Sequence, residues 1–325
     1  MNLLSKSKIN KILVISLTNI GDVILTFPVI DILKRDFPSA KLSIVIGPKT
    51  ESFFDGNPHF DQVHVFDKHQ SPVKTVPWIF ALRRQHFDLV VDLRNTAIPF
   101  MIAPCHRTSC RVDKTVKVHM REKHLNQLRS VHDFKMEADE SRSLFIFEPD
   151  KLYIQELVDK KIGRQQKYVV VAPGAADSAK RWSEEGFAFV CDRLTEERGV
   201  KIVFVGDEED RKVAQRIDKL MEAGAVNLCG RTNLIQLAEL FKHCSLAVVN
   251  DSAPMHLASY LNVPVVALFG PTDSQKYGPW GAQYHVIKKN SDCPVCLDPK
   301  DAHKHTCMQT ISKEDVLEAA NRFIG

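Results

Sequence analysis

Four loops carry residue types suited to general-base chemistry and to holding an anionic, phosphate-bearing ligand. Asn19-Ile20-Gly21-Asp22 follows an apolar run and opens a helical pattern. Gly21 permits a tight turn beside Asp22. Two roles for Asp22 stand open: a helix cap, common for Asp, or a carboxylate at a sheet edge acting as a general base. The second loop runs from Pro173 through Gly174, Ala175 and Ala176 to Lys180, Arg181 and Trp182. Its small residues let backbone approach a ligand, and Lys180 supplies a point charge suited to phosphate. Ordinary surface charge is the other reading of Lys180 and Arg181. The third, Asn250-Asp251-Ser252-Ala253-Pro254-Met255-His256, precedes a helix. First-turn N–H groups, the Ser252 hydroxyl and the helix dipole form an anion site there, with His256 as a further donor. Capping by Asp251 or Ser252 is the alternative. The fourth, Gly206-Asp207-Glu208-Glu209-Asp210-Arg211, places acids where ribose hydroxyls are held in other nucleotide-binding α/β folds, or where a helix start needs negative charge.

The elements that must position these loops follow from periodicity. Ile12–Leu17 and Leu42–Ile46 read as strands around a helix from about Val23 to Arg35, which is a parallel crossover. Tyr168–Ala172, a helix from Ser183 to Arg198 and Ile202–Val205 repeat the plan about 160 residues later. Further strands fit at Val63–Phe66, Leu89–Asp92, Ala247–Asn250 and Val265–Phe269. Further helices fit at Asp210–Met221, Asn233–Lys242, Pro254–Leu261 and Lys313–Phe323. The expected architecture is α/β, two Rossmann-like domains facing a central cleft, with ligands at the carboxyl ends of the strands. A link is expected within Glu148–Gln166, dividing the chain into 1–155 and 156–325.

Composition bounds the function. The chain has 325 residues, 44% hydrophobic and 26% charged, which suits two globular domains and excludes disorder. A net charge of +4 is too small for a general nucleic-acid binder. The charge is local, however. Cys105–Lys135 holds eight Lys/Arg, among them Arg107, Arg111, Lys114 and Lys117, against three acids. That net +5 points to an anionic partner. Lysines 6, 8 and 11 interrupt any apolar secretory core, and no apolar run approaches the ~20 residues of a membrane span, so a cytoplasmic protein is expected. Neither first strand is followed by G-x-G-x-x-G, which disfavours nicotinamide and flavin chemistry.

Taken together, ILVISLTNIGDVILTFPVIDILK, VVVAPGAADSAKRWSEEGF and VVNDSAPMHLASYLNVPVVALFGPTD resemble glycosyltransferase family 9, the ADP-heptose:lipopolysaccharide heptosyltransferases. The resemblance implies a GT-B fold whose last helix packs back on the N-terminal domain. It implies inverting, metal-independent transfer from ADP-heptose to a lipopolysaccharide inner-core acceptor (lipid A-Kdo or core), with no cofactor required. By this resemblance Asp22 is the catalytic aspartate, Lys180 contacts the donor diphosphate and Asp251 the donor sugar, while Ser252, Ala253 and His256 form the phosphate turn. Asp210, then Glu209, is the ribose contact, with Thr232 on the adenosine side. The chain departs from the family in having Ala at 175, 176 and 253, where many members have hydroxyls or Gly. A GT-B enzyme for another nucleotide sugar and a non-catalytic sugar or nucleotide binder are the rival readings. Retention of Asp22, Lys180 and Asp251 together argues against the second.

Two motifs lie outside that scheme. Trp78–Phe87 (WIFALRRQHF) reads as a helix with one apolar and one basic side, a candidate for peripheral contact with the cytoplasmic face of the inner membrane, or a surface helix packed on its own domain. Cys293-x2-Cys296 with His303, His305 and Cys307 is a structural zinc candidate, weak because no second C-x2-C follows.

Overall fold

The computed structural model describes residues 9–16, 18–67, 69, 71–109, 118–136, 143–281, 283–288 and 307–324. The chain divides into two compact units, Met1–Phe145 and Ile146–Gly325. The stretch expected to link the halves is instead a helix of the second unit, Glu148–Lys161. Pro149 at its first turn, acids at Glu148 and Asp150, and Lys160 and Lys161 in its last turn complement helix sterics and dipole.

The first unit contains β1 (Lys11–Ile15), α1 (Ile20–Ile24), α2 (Phe27–Asp36), β2 (Lys41–Ile46), β3 (Gln62–Val65), α3 (Pro72–Arg83), β4 (Leu89–Asp92), α4 (Ile98–Ile102), β5 (His106–Arg107) and α5 (Met120–Arg129). Its sheet is parallel, in the order β3-β2-β1-β4-β5. The apolar strand runs are buried on both faces, as parallel strands under helices must be. One helix was expected over Val23–Arg35, and two are found. Pro28 has no N–H to give the carbonyl of Ile24, so the ladder breaks there. The Thr26 hydroxyl covers the break by donating to Val23 O at 2.6 Å.

The second unit contains α6 (Glu148–Lys161), β6 (Tyr168–Ala172), α7 (Glu184–Arg198), β7 (Lys201–Phe204), α8 (Asp210–Leu220), β8 (Val226–Asn227), α9 (Leu234–Lys242), β9 (Leu246–Asn250), α10 (Ala253–Tyr260), β10 (Val265–Phe269), α11 (Ser274–Tyr277), β11 (Tyr284–Lys288) and α12 (Lys313–Asn321). Its parallel sheet has the order β11-β10-β9-β6-β7-β8. Helix starts obey local chemistry: Ser183 accepts from Gly186 N–H before α7, and Asn233 with Gln236 forms a capping box before α9. α12 buries Val316, Ala319 and Ala320 in the core of this second unit, beside α7 and β10.

Both strand orders reverse once: between β1 and β4 in the first sheet, and between β6 and β9 in the second. At such a point consecutive crossovers leave in opposite directions and open a crevice at the carboxyl edge. The functional loops are therefore expected after β1, β4, β6 and β9.

Candidate active site

In the first unit the loop after β1 leads into α1. Asp22 occupies the third helical position, half-buried, and the extended residue before the helix is Asn19. Asp22 therefore does not sit at the cap. Asn19 Nδ2 donates to Asp22 Oδ2 at 3.0 Å, which orients the carboxylate. Its other oxygen accepts no hydrogen bond among the described residues.

The loop after β4 was not singled out in the sequence, yet it leaves the same edge, because Ile15 pairs with Asp92 across β1 and β4. Asp92 is 4% exposed. Its carboxylate accepts from Arg94 N–H at 2.9 Å, Thr96 N–H at 2.6 Å and the Thr96 hydroxyl at 2.9 Å. Burial pushes its carboxyl above the usual range, and those donors hold it down in part. The bonds fold residues 93–97 into a fixed turn with Asn95 left-handed at φ 56°. Arg94 stands half-buried on that turn, and its guanidinium makes no ion pair or hydrogen bond among the described residues. The signal that finds Arg94 is the strand order, which local sequence does not carry.

In the second unit the loops after β6 and β9 meet. Asn250, fully buried, donates from Nδ2 to Pro173 O at 2.7 Å and accepts from Trp182 N–H at 3.4 Å, so the two ends of the 173–182 loop are tied to β9. Lys180 Nζ then lies 2.7 Å from Asp251 Oδ2, with Asp251 only 6% exposed and Lys180 30%. Arg181 goes elsewhere: its guanidinium donates twice to Ala175 O, at 2.8 and 2.7 Å, and closes the loop on itself. Of the two adjacent cations, Lys180 is the one beside the α10 turn, and Arg181 is a loop clasp.

The turn at α10 begins with Ser252 as the extended residue before the helix, and no side chain caps it. The Ser252 hydroxyl donates to Asn250 O at 3.2 Å instead. Capping by Ser252 or Asp251 is thus excluded, and the positive helix end stays open to a ligand. Ala253 and Pro254 form the first turn. His256 is buried, its ring 5.9 Å from that of Trp280 and nearly parallel to it.

The acids after β7 take distinct places. Asp210 packs over Gly174 and Gly206 so closely that a Cβ at Gly174 would fall 2.0 Å from its Oδ1. Asp207 N–H donates to Asp210 Oδ2 at 3.2 Å. Burial and the Asp207 charge push the Asp210 carboxyl up, against the Asp207 N–H and Arg181. Glu209 is exposed, and Glu208 pairs with Arg211 at 2.6 Å while lying over Gly230. Thr232 is half-buried on the loop before α9.

Of the basic residues, Arg107 lies with its guanidinium 3.7 Å above the Phe100 ring. Arg111, Lys114 and Lys117 lie outside the described residues, as do Cys293, Cys296, His303 and His305. Cys307 is buried, and no group of three potential metal ligands occurs among the described residues. A cavity of about 500 Å³ is lined by α6, α9 and the amino ends of β6 and β9, the sheet edge opposite these loops.

The fold has counterparts among known proteins. Residues 79–306 match the model of glycosyltransferase family 9 (heptosyltransferase). Lipopolysaccharide heptosyltransferase 3 of Escherichia coli K12 is 26% identical over 80% of this chain and 82% of its own. Lipooligosaccharide heptosyltransferase 2 of Haemophilus ducreyi is 25% identical over 97% of this chain and 99% of its own. Among solved structures, the family 9 glycosyl transferase of Veillonella parvula aligns with a TM-score of 0.78 at 25% identity over 97% of both chains. E. coli ADP-heptose LPS heptosyltransferase II aligns at 0.77 and 23% identity, over 97% of this chain and 98% of its own. The two parallel sheets are thus those of the GT-B heptosyltransferase fold.

Proposed function

The chain belongs to glycosyltransferase family 9 and is a glycosyltransferase of the heptosyltransferase type, and from that premise we propose that it moves heptose from ADP-heptose to an inner-core lipopolysaccharide acceptor, with inversion and without a metal. The observation that carries the donor half is the meeting of Lys180 and Asp251 beside the uncapped α10 turn. A diphosphate placed there gains the Lys180 charge and the helix end, worth roughly +0.5 charge. These groups stabilise the charge that develops on departing ADP, the part a divalent ion plays elsewhere. Ala175, Ala176 and Ala253 offer no hydroxyls, so backbone N–H groups and Lys180 carry the phosphate contacts.

The acceptor half rests on Asp22. Its Asn19-oriented carboxylate takes the proton of the acceptor hydroxyl while that oxygen bonds to the anomeric carbon. The bond to ADP breaks on the opposite face, so one displacement inverts the centre. A positioned base contributes roughly 10²–10⁴ in rate. Asp251, freed from Lys180 when the diphosphate takes that cation, is placed to hold a donor-sugar hydroxyl. Asp210 is the first choice for the ribose, with Glu209 and Thr232 beside it. Carboxylates and phosphates of the inner core attract the basic segment at Arg107, Arg111, Lys114 and Lys117.

The test is the reaction itself. Wild-type protein with ADP-heptose and truncated core acceptors yields a product heavier by one heptose in mass spectrometry, without added metal and in the presence of chelator. Asp22→Asn loses turnover and keeps ADP binding. Transfer from a different nucleotide sugar alone, or near-normal turnover by Asp22→Asn, defeats the reading.

A further inference from the structure

α3 (Pro72–Arg83) does not match the expected pattern of one apolar and one basic side. Trp78, Ile79 and Leu82 pack on the core of the first unit, with Leu82 1% exposed. The outward side is apolar as well: Val73, Val76 and Phe80, spaced as one helical stripe, are 82%, 50% and 57% exposed. α4 packs beside it and adds Phe100 and Met101, 54% and 40% exposed. Arg83 Nη1 donates to Met101 O at 3.4 Å, which ties the two helices. A helix apolar all round belongs in an interior, and this one has an interior on one side only. Single exposed apolar residues are ordinary, but five on two packed helices form a patch that calls for a covering partner.

The charge carried by these two helices and the residues that directly flank them has one sign. Lys74, Arg83 and Arg84 lie on or beside α3, and Arg107 lies over Phe100. No Asp or Glu occurs in 71–87 or 97–107. None of the four cations forms an ion pair among the described residues. A second copy of this chain is a poor cover, because a two-fold contact would set these cations against their own images. Protruding apolar side chains among unpaired cations are the pattern of an element lying in a lipid interface. We propose that α3 and α4 form the docking surface for an anionic lipid bilayer. Where the acceptor is lipid-anchored, as the proposed function has it, docking brings the acceptor to the edge that carries Asp22, since α4 and α1 leave the carboxyl ends of the adjacent strands β4 and β1.

The test is flotation of the full-length protein with vesicles of phosphatidylcholine alone or with added phosphatidylglycerol. Binding is expected to the anionic vesicles, falling with salt, and little to the neutral ones. Lys74→Ala/Arg84→Ala is expected to lower partitioning about 25-fold, from ~1 kcal/mol per cation at an anionic surface. Val73→Ser/Val76→Ser/Phe80→Ser is expected to abolish flotation while ADP binding and transfer to a soluble, lipid-free core saccharide persist. Those two readouts show that the fold and the chemistry survive. Flotation of the triple variant like wild type overturns the proposal, as does equal binding to both vesicle types. A wild-type dimer that the triple variant dissociates, or binding to polyglutamate without vesicle binding, overturns it in favour of a protein partner. Flotation by a protein that transfers no heptose leaves the docking surface standing and removes the proposed function instead.

Discussion

Replacing Lys180 by Ala does two things to the donor turn. It removes the cation placed to meet the diphosphate, a charge-assisted contact of about 1.5–3 kcal/mol. It also strands the Asp251 carboxylate, 6% exposed and now paired with Lys180 at 2.7 Å, directly at the anion site. A diphosphate about 6 Å from that carboxylate meets a repulsion of about 2–3 kcal/mol at an effective dielectric of ~20. The two effects together predict ADP binding weakened by about 10³–10⁴-fold for Lys180→Ala. Asp251→Asn has the opposite sign: it releases Lys180 and removes the repulsion, so ADP binds as tightly as to wild type or tighter. Heptose transfer falls nonetheless, through the lost sugar contact. The double variant separates the terms. Lys180→Ala/Asp251→Asn loses the contact alone and binds about 10–100-fold more weakly than wild type, and so more tightly than Lys180→Ala. Isothermal titration of ADP into the four proteins measures this cycle, with circular dichroism verifying that each is folded, since an orphaned buried charge costs stability as well. If the double variant binds no better than Lys180→Ala, or if Asp251→Asn weakens ADP binding, Asp251 is not a counter-charge that the diphosphate displaces.

Three further outcomes follow from the same geometry. Burial and Asp207 raise the Asp210 carboxyl, so the folded protein carries a cost for ionising it above the ordinary carboxylate range. Asp210→Asn is expected to raise the melting temperature at neutral pH and not in acid, while ADP affinity falls; a lower melting temperature with unchanged ADP affinity would make Asp210 a loop clasp only. Burial, then the charges of Lys123 and His119, push His124 from 6.5 down to about 4. The unfolded chain therefore binds a proton that the folded one does not, and stability drops by up to about 3 kcal/mol as pH falls from about 6.5 towards 4. In urea unfolding, His124→Phe should flatten that acid limb, and an unaltered limb would show that other groups set it. Arg94→Ala should raise the acceptor KM about 10–100-fold at constant ADP affinity, the scale of one charge-assisted contact to a carboxylate or phosphate. An unchanged acceptor KM removes Arg94 from the acceptor site.

What local sequence could and could not reveal divides along a physical line. A strand, a turn and a helix start are written within about ten neighbouring residues, so Ile12–Asp22, Tyr168–Lys180 and Leu246–Ser252 were legible as strand–loop–helix units with chemistry at the turn. The order of strands is set by which apolar faces pack best over the whole unit, and no local pattern encodes it. β4 follows β1 by more than seventy residues and pairs beside it, so Asp92 and Arg94 were invisible as neighbours of the Asp22 loop. The same limit governs Lys180 and Arg181. They are adjacent and alike in charge, and for both the sequence leaves ordinary surface charge open, because the fate of a loop cation depends on which acceptor the fold brings within about 3 Å. Ala175 O lies in reach of one and Asp251 of the other. α3 shows the converse case. Its lack of any acid and its apolar residues on every side are on view in the sequence, but nothing local says which side the core will claim. Once Trp78, Ile79 and Leu82 are spent on the core, Val73, Val76 and Phe80 are left over. That remainder, and not the helix's mean polarity, is what marks the surface as a place where something else must bind.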